Sequence, residues 1–151
     1  MKTLKDFLVN IQSCYQPRKD ILLNINNKRF EIGYEMRSLM TKRERMVYAG
    51  RLLGREKRVF EPSPSLLETL SLCDGVNKIH VEKEIGWLLV CGRDVFEENF
   101  LSVEGNLKIG SSFLVITEGN CLGYGIIEKF NNELICKNLF DLGDFLRRER
   151  Y

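Results

Sequence analysis

The chain has 151 residues, of which 44% are hydrophobic and 29% charged, and a net charge of +2. That composition suits a buried core and excludes intrinsic disorder, and the length fits one ordinary domain or two small ones. The uncharged run Ile109 to Thr117 includes Ser111, Ser112 and Thr117 and falls short of the roughly 20 apolar residues a membrane-spanning helix needs.

Thr3 and Asp6 form a capping box, and Leu4, Phe7, Leu8 and Ile11 follow at helical spacing. Together they predict an amphipathic helix of about 12 residues. Asp20 to Asn24 and Arg29 to Tyr34 flank Asn26-Asn27 and read as a hairpin. Tyr34 to Thr41 reads as a short helix and Met46 to Leu53 as a strand. After the break at Pro62-Ser-Pro-Ser65, a capping box of Ser65 and Glu68 opens a helix that buries Leu66, Leu67 and Leu70.

The turn Asp74-Gly75 is the expected boundary between two units, residues 1–75 and 76–151. Beyond it strands dominate. Lys78 to Val81 and Gly86 to Val90 are read as strands, and Asp94 with Glu97 as the cap of a short helix carrying Val95, Phe96 and Phe100. Ser112 to Thr117, Cys121 to Ile127 and Glu133 to Lys137 form a meander joined at Glu118-Gly-Asn120 and Asn131-Asn132. Leu142, Phe145 and Leu146 share one face of a closing helix. Short antiparallel strands protect their edges best by closing on themselves, with Gly110, Gly119, Gly123 and Gly125 at the tight corners. The fold class is therefore α+β: a mixed α/β first unit, then a small β-barrel closed by a helix.

Catalytic and metal signatures are missing. The five cysteines are scattered and the one histidine, His80, has no nucleophile motif beside it, so neither zinc nor a cofactor is expected. The cysteines read as free, buried thiols of a reducing compartment, and the charged Met1 to Asp6 stretch does not read as a secretory signal. Leu122-Gly-Tyr-Gly125 lies between strands and is not a dinucleotide loop.

Charge is divided: residues 1–75 hold 14 Lys/Arg against 9 Asp/Glu, and residues 76–151 hold 9 against 12. Lys42, Arg43, Arg45, Arg51, Arg55, Lys57 and Arg58 crowd into seventeen residues with only Glu44 and Glu56 as acids, near Tyr48 and Phe60. A second basic group, Arg147, Arg148 and Arg150, ends the chain. Such groups are either solvated faces or the electrostatic footprint of a phosphate backbone.

The second half resembles a PUA domain, an RNA-binding module. The resemblance is carried by Ile79–Val81, Leu89–Gly92, Asp94–Phe100, Val115-Ile116, Leu122-Gly-Tyr-Gly-Ile126 and Asp141-Leu-Gly-Asp-Phe-Leu-Arg147. With Ala49-Gly-Arg-Leu-Leu-Gly54 and Phe60-Glu-Pro-Ser63, the whole chain is similar to the Nip-seven family of ribosome-biogenesis factors, in which a pre-PUA domain precedes the PUA domain. The resemblance implies a non-catalytic monomer that binds U-rich or AU-rich single-stranded RNA. It further implies work on pre-rRNA in the pre-ribosomal particle of the large subunit, with other assembly factors or the exosome as partners. It places the RNA-binding cations at Arg147, Arg148 and Arg150, with Lys137 close by. The net acidic second half departs from a strongly basic binder, which extends the RNA path to Arg51, Arg55, Lys57 and Arg58. Location follows origin: cytoplasmic in an archaeon, nuclear or nucleolar in a eukaryote. The competing readings are a PUA-like protein adaptor and an accessory RNA-binding module of an RNA-modification complex.

Overall fold

A computed structural model describes residues 2–40 and 49–148. The chain is α+β. Its first sheet is an antiparallel meander of β1 (Leu22–Ile25), β2 (Lys28–Glu31), β3 (Arg51–Glu56) and β4 (Phe60–Pro62) in that order. Around it lie α1 (Leu4–Asn10), α2 (Tyr34–Met40) and α3 (Pro64–Ser71). The expected strand over Met46 to Leu53 is instead β3, beginning at Arg51, and residues 46–48 lie outside those described.

The second sheet contains β5 (Lys78–His80), β6 (Val95–Phe96), β7 (Ser102–Glu104), β8 (Ser112–Thr117), β9 (Asn120–Phe130) and β10 (Glu133–Asp141), ordered β6-β10-β9-β8-β5-β7. All pairs are antiparallel except β5 with β8. It curls into a half-barrel. Its outer strands β6 and β7 are joined by a 3-10 turn, Glu97–Asn99, rather than by pairing. Two helices pack on it, α4 (Lys83–Val90) and α5 (Leu142–Arg148).

Local chemistry explains the meander. Glu118 and Gly119 have φ of 48° and 78°, and Asn131 and Asn132 have 47° and 68°. Paired positive φ values are what a two-residue turn needs to match strand twist. Inside β9, a Cβ on Gly123 would strike the Phe140 carbonyl and one on Gly125 the Cys136 sulfur and Lys137 carbonyl, so both glycines let β10 curl tightly across β9.

Four expectations are corrected. Gly86 to Val90 belongs to a helix, not a strand: α4 buries Gly86 and Leu89 and turns Trp87 and Leu88 outward. It closes in a Schellman motif, with Gly92 at φ 88°, Gly92 N donating to Leu89 O and Arg93 N to Leu88 O. Asp94 and Glu97 cap no helix. Their carboxylates accept from Asn138 N (2.9 Å) and Leu134 N (3.1 Å), tying the β6 edge to β10. The cap of α3 is Ser63, whose Oγ accepts from Leu66 N at 3.1 Å with Pro64 as the first helical residue. Ser65 is engaged elsewhere. The first helix has its capping box but runs seven residues, with Ile11 as its C-cap.

β8 shows how the two halves meet. All six of its residues are buried. Leu114 and Ile116 join a core with Leu4, Phe7, Leu8, Ile11, Leu53, Phe60, Leu66, Leu67, Leu70, Val76 and Tyr124, whereas Phe113 and Val115 face the half-barrel core of Ile79, Val81, Leu89, Val95, Ile127 and Cys136. A strand covered on both faces is a continuous apolar run, as the sequence has it. Phe7 lies 5.2 Å from the Phe60 ring and 4.8 Å from Tyr124, edge-on to the latter. The Tyr124 hydroxyl donates to Phe60 O at 2.6 Å, and burial raises its pKa. Asn10 at the end of α1 accepts from Ser112 N at 2.6 Å. The two sheets are separate, yet they lie on one shared core.

Candidate nucleic-acid interface

The cations of the second half fall into two kinds. Asp141, with a side chain only 3% exposed, caps α5 by accepting from Asp144 N at 2.9 Å. A buried carboxylate needs a partner. Arg147, near the far end of α5, supplies it: Nη2 donates to both carboxylate oxygens at 3.1 and 2.9 Å, which raises the arginine's own pKa. Its Nη1 donates to Val90 O, a carbonyl left without a helical partner at the end of α4. Gly143 leaves room for this contact, since a Cβ there would strike Val90 O and crowd the guanidinium. Arg147 is thus a brace joining α4, α5 and β10, with its outer edge in solvent. Lys137 instead stands on the sheet surface, half exposed, with Glu128 at 3.3 Å. Exposed pairs of this kind exchange easily with other anions. The Arg148 side chain and Arg150 lie outside the described residues.

The first half sorts in the same way. Arg51 staples β3 to α3 and β2. Its Nε donates to Ser65 Oγ at 2.7 Å, its Nη2 to Ser65 O at 2.8 Å and to Thr69 Oγ1, and its Nη1 lies 3.4 Å from Glu31. Arg55, Lys57 and Arg58, at the end of β3 and in the turn to β4, are on the surface. Lys57 meets Glu61 at 2.9 Å, while Arg55 and Arg58 have no ion pair among the described residues. Lys28 on β2 lies directly opposite Arg55, adding a cation to that edge. Lys42, Arg43, Arg45 and Tyr48 lie outside the described residues.

Trp87 is a candidate that the sequence pattern did not single out. It is 62% exposed on α4, beside Leu88, and the backbone of the exposed Arg93 bonds to Leu88 O. An exposed indole can stack on an unpaired base. Gly92, the helix-ending glycine, was the available signal for α4; the outward Trp87 and Leu88 erased its amphipathic pattern.

Of the cysteines, Cys14 and Cys91 are exposed, against the expectation of buried thiols. Burial pushes the Cys121 and Cys136 thiols up to about 12, so they are neutral near pH 7. His80 Nε2 lies 2.7 Å from Glu104, whose carboxyl that bond holds below its usual range. Among the described residues no group of three His, Cys, Asp or Glu side chains is placed to hold a metal ion.

Residues 77–150 match the family described as the UPF0113 PUA domain. The second half of the chain is a PUA domain. The fold agrees with that of a conserved PUA domain protein from Thermoplasma acidophilum, with a TM-score of 0.51 at 14% identity, over 84% of this chain and 79% of that one. No curated protein matches the sequence. In this PUA domain Lys137, Trp87 and Arg93 are exposed and Arg147 is an internal brace; Arg55, Lys57 and Arg58 add cations from the first half.

Proposed function

We propose that the protein binds single-stranded RNA and acts as a non-catalytic factor in ribosome biogenesis, on pre-rRNA of the large subunit. The observation that carries the RNA reading is the PUA domain over residues 77–150. Exposed cations in both halves and the exposed Trp87 support it. The assignment to pre-rRNA, to U-rich or AU-rich sequences, and to assembly factors or the exosome as partners rests on the likeness to the Nip-seven family. Residues 1–75 serve in this reading as the pre-PUA domain. Arg55, Arg58, Lys137 and Arg93 meet phosphates, and Arg148 and Arg150 follow the Arg147 brace.

Trp87 is the chain's only tryptophan, so its fluorescence reports one place. Titration with a U-rich oligonucleotide should quench it saturably, and Trp87→Phe should remove the signal while keeping most of the affinity measured by anisotropy. Retained fluorescence with undiminished anisotropy binding would move the RNA off α4.

One observation favours a second reading, a protein adaptor. The PUA half holds more acids than bases, and Trp87, Leu101 and Ile109 are exposed by 62%, 59% and 65%. Failure to bind any oligonucleotide at low salt would select it.

A further inference from the structure

A cleft of about 650 Å³ opens in the first half, between α1, the 13–19 segment and the sheet. Its apolar wall comes from Leu4, Leu8, Pro17 and Leu22, with the Tyr15 ring beside them. Tyr15 does not swing freely, because its hydroxyl donates to Glu31 at 3.1 Å. The charged lining is unequal. Lys5, Lys19 and Arg29 face a single carboxylate, Glu56. That carboxylate is already occupied, accepting from Arg29 at 2.8 Å and from Leu4 N at 3.1 Å. Lys5 and Lys19 have no ion pair among the described residues, so the cleft presents an apolar wall under two free ammonium groups.

We propose that this cleft is a nucleotide subsite of the RNA path: an unstacked base lies against Tyr15 and the apolar wall, and its phosphate meets Lys5 and Lys19. A flat apolar body carrying an anion is the ligand chemistry that an apolar wall with two unpaired cations selects, and the volume falls in the range of small-ligand sites. The source is RNA rather than a free nucleotide because the cleft is fixed to the PUA domain. The helix that walls it, α1, places Phe7 against Tyr124 of β9 and Asn10 on the backbone of β8. A strand held on the PUA domain therefore meets the cleft in a set geometry. The inference rests on the RNA reading above.

The test uses the full chain and a U-rich oligonucleotide carrying 5-iodouridine. Irradiation should cross-link Tyr15, mapped by mass spectrometry. Tyr15→Phe should keep the cross-link and Tyr15→Leu should lose it. The double variant Lys5→Glu/Lys19→Glu, checked for folding by circular dichroism, should bind about tenfold more weakly, with a log–log salt slope lower by roughly one unit. RNA binding in the parent, with no cross-link at Tyr15 and an unaltered double variant, overturns the cleft and leaves the RNA reading standing. UMP alone binding as tightly as the oligonucleotide overturns it too, making the cleft a free-nucleotide site. A parent that binds no RNA removes both readings.

Discussion

Two sets of candidate cations, the Arg51 to Arg58 segment and the pair Lys137 and Arg147, divide in the same manner in three dimensions. Each contains one arginine turned to intramolecular work. Arg51 holds α3 to the first sheet, and Arg147 holds α5 to α4 through the buried Asp141. Each also contains cations left on the surface: Arg55 and Arg58 in one, Lys137 in the other. A cluster of positive charge is therefore not one site. Arginine's fixed fork of donors suits it to collecting several acceptors at once, and Arg51 and Arg147 spend donors within the chain while part of each side chain stays in solvent. The two sets also differ. Asp141 is almost fully enclosed, whereas Glu31, the acid beside Arg51, keeps a 21% exposed side chain.

That difference sets the order of the expected effects. Arg147→Ala should be the most damaging, because it takes the charge partner from a buried carboxylate and leaves it the hydrogen bonds from Asp144 N and Asn138 Nδ2. After discounting for the exposed side of the guanidinium, the loss should be about 2–3 kcal/mol of unfolding free energy, read from urea denaturation. Arg147→Ala with Asp141→Asn should recover part of it; a loss under about 0.5 kcal/mol for the single variant would show that Arg147 braces nothing. Arg51→Ala removes the hydrogen bonds to α3 but leaves a hydrated acid behind, so about 1–2 kcal/mol is expected by the same measurement. A cost equal to that of Arg147→Ala would erase the contrast between the sets.

Much of this sorting lies beyond what sequence can reveal. The meander was legible because its turns carry their own chemistry, Glu118-Gly119 and Asn131-Asn132, in adjacent residues. The capping box at Thr3 and Asp6 was legible for the same reason. Asp94 and Glu97 have the spacing of a cap but bond to Asn138 and Leu134, far along the chain. Spacing cannot distinguish a local acceptor from a distant one. The intramolecular bonds of Arg147 and Arg51 were hidden in the same way, since their acceptors, Val90 O and the Ser65 carbonyl, belong to other elements. The α4 helix was hidden because its outward face carries the apolar Trp87 and Leu88.

A third, smaller effect depends on pH. Glu56 is opposed by desolvation, but hydrogen bonds from Arg29 and Leu4 hold its carboxyl below the ordinary value of 4.5. A group with a depressed folded pKa binds fewer protons in the native state. Its contribution is therefore complete above the unfolded value and fades as pH falls through 4.5 toward the folded one. The urea midpoint of the parent should drop over that window more steeply than that of Glu56→Gln. Parallel curves would remove Glu56 from the account.

The smallest effect on stability should come from Arg55→Ala/Arg58→Ala, within about 0.5 kcal/mol of the parent, since neither side chain has an ion pair among the described residues. Its effect on RNA should be the clearest. The decisive measurement is the anisotropy of a U-rich oligonucleotide bound to the parent and to this variant, at salt from about 50 to about 200 mM. If exposed cations of the first half share the RNA path with the PUA domain, the log–log slope of the variant should be shallower by about 1.4, at roughly 0.7 for each phosphate no longer neutralised. A parent that binds RNA with a slope the variant leaves unchanged would contradict that claim.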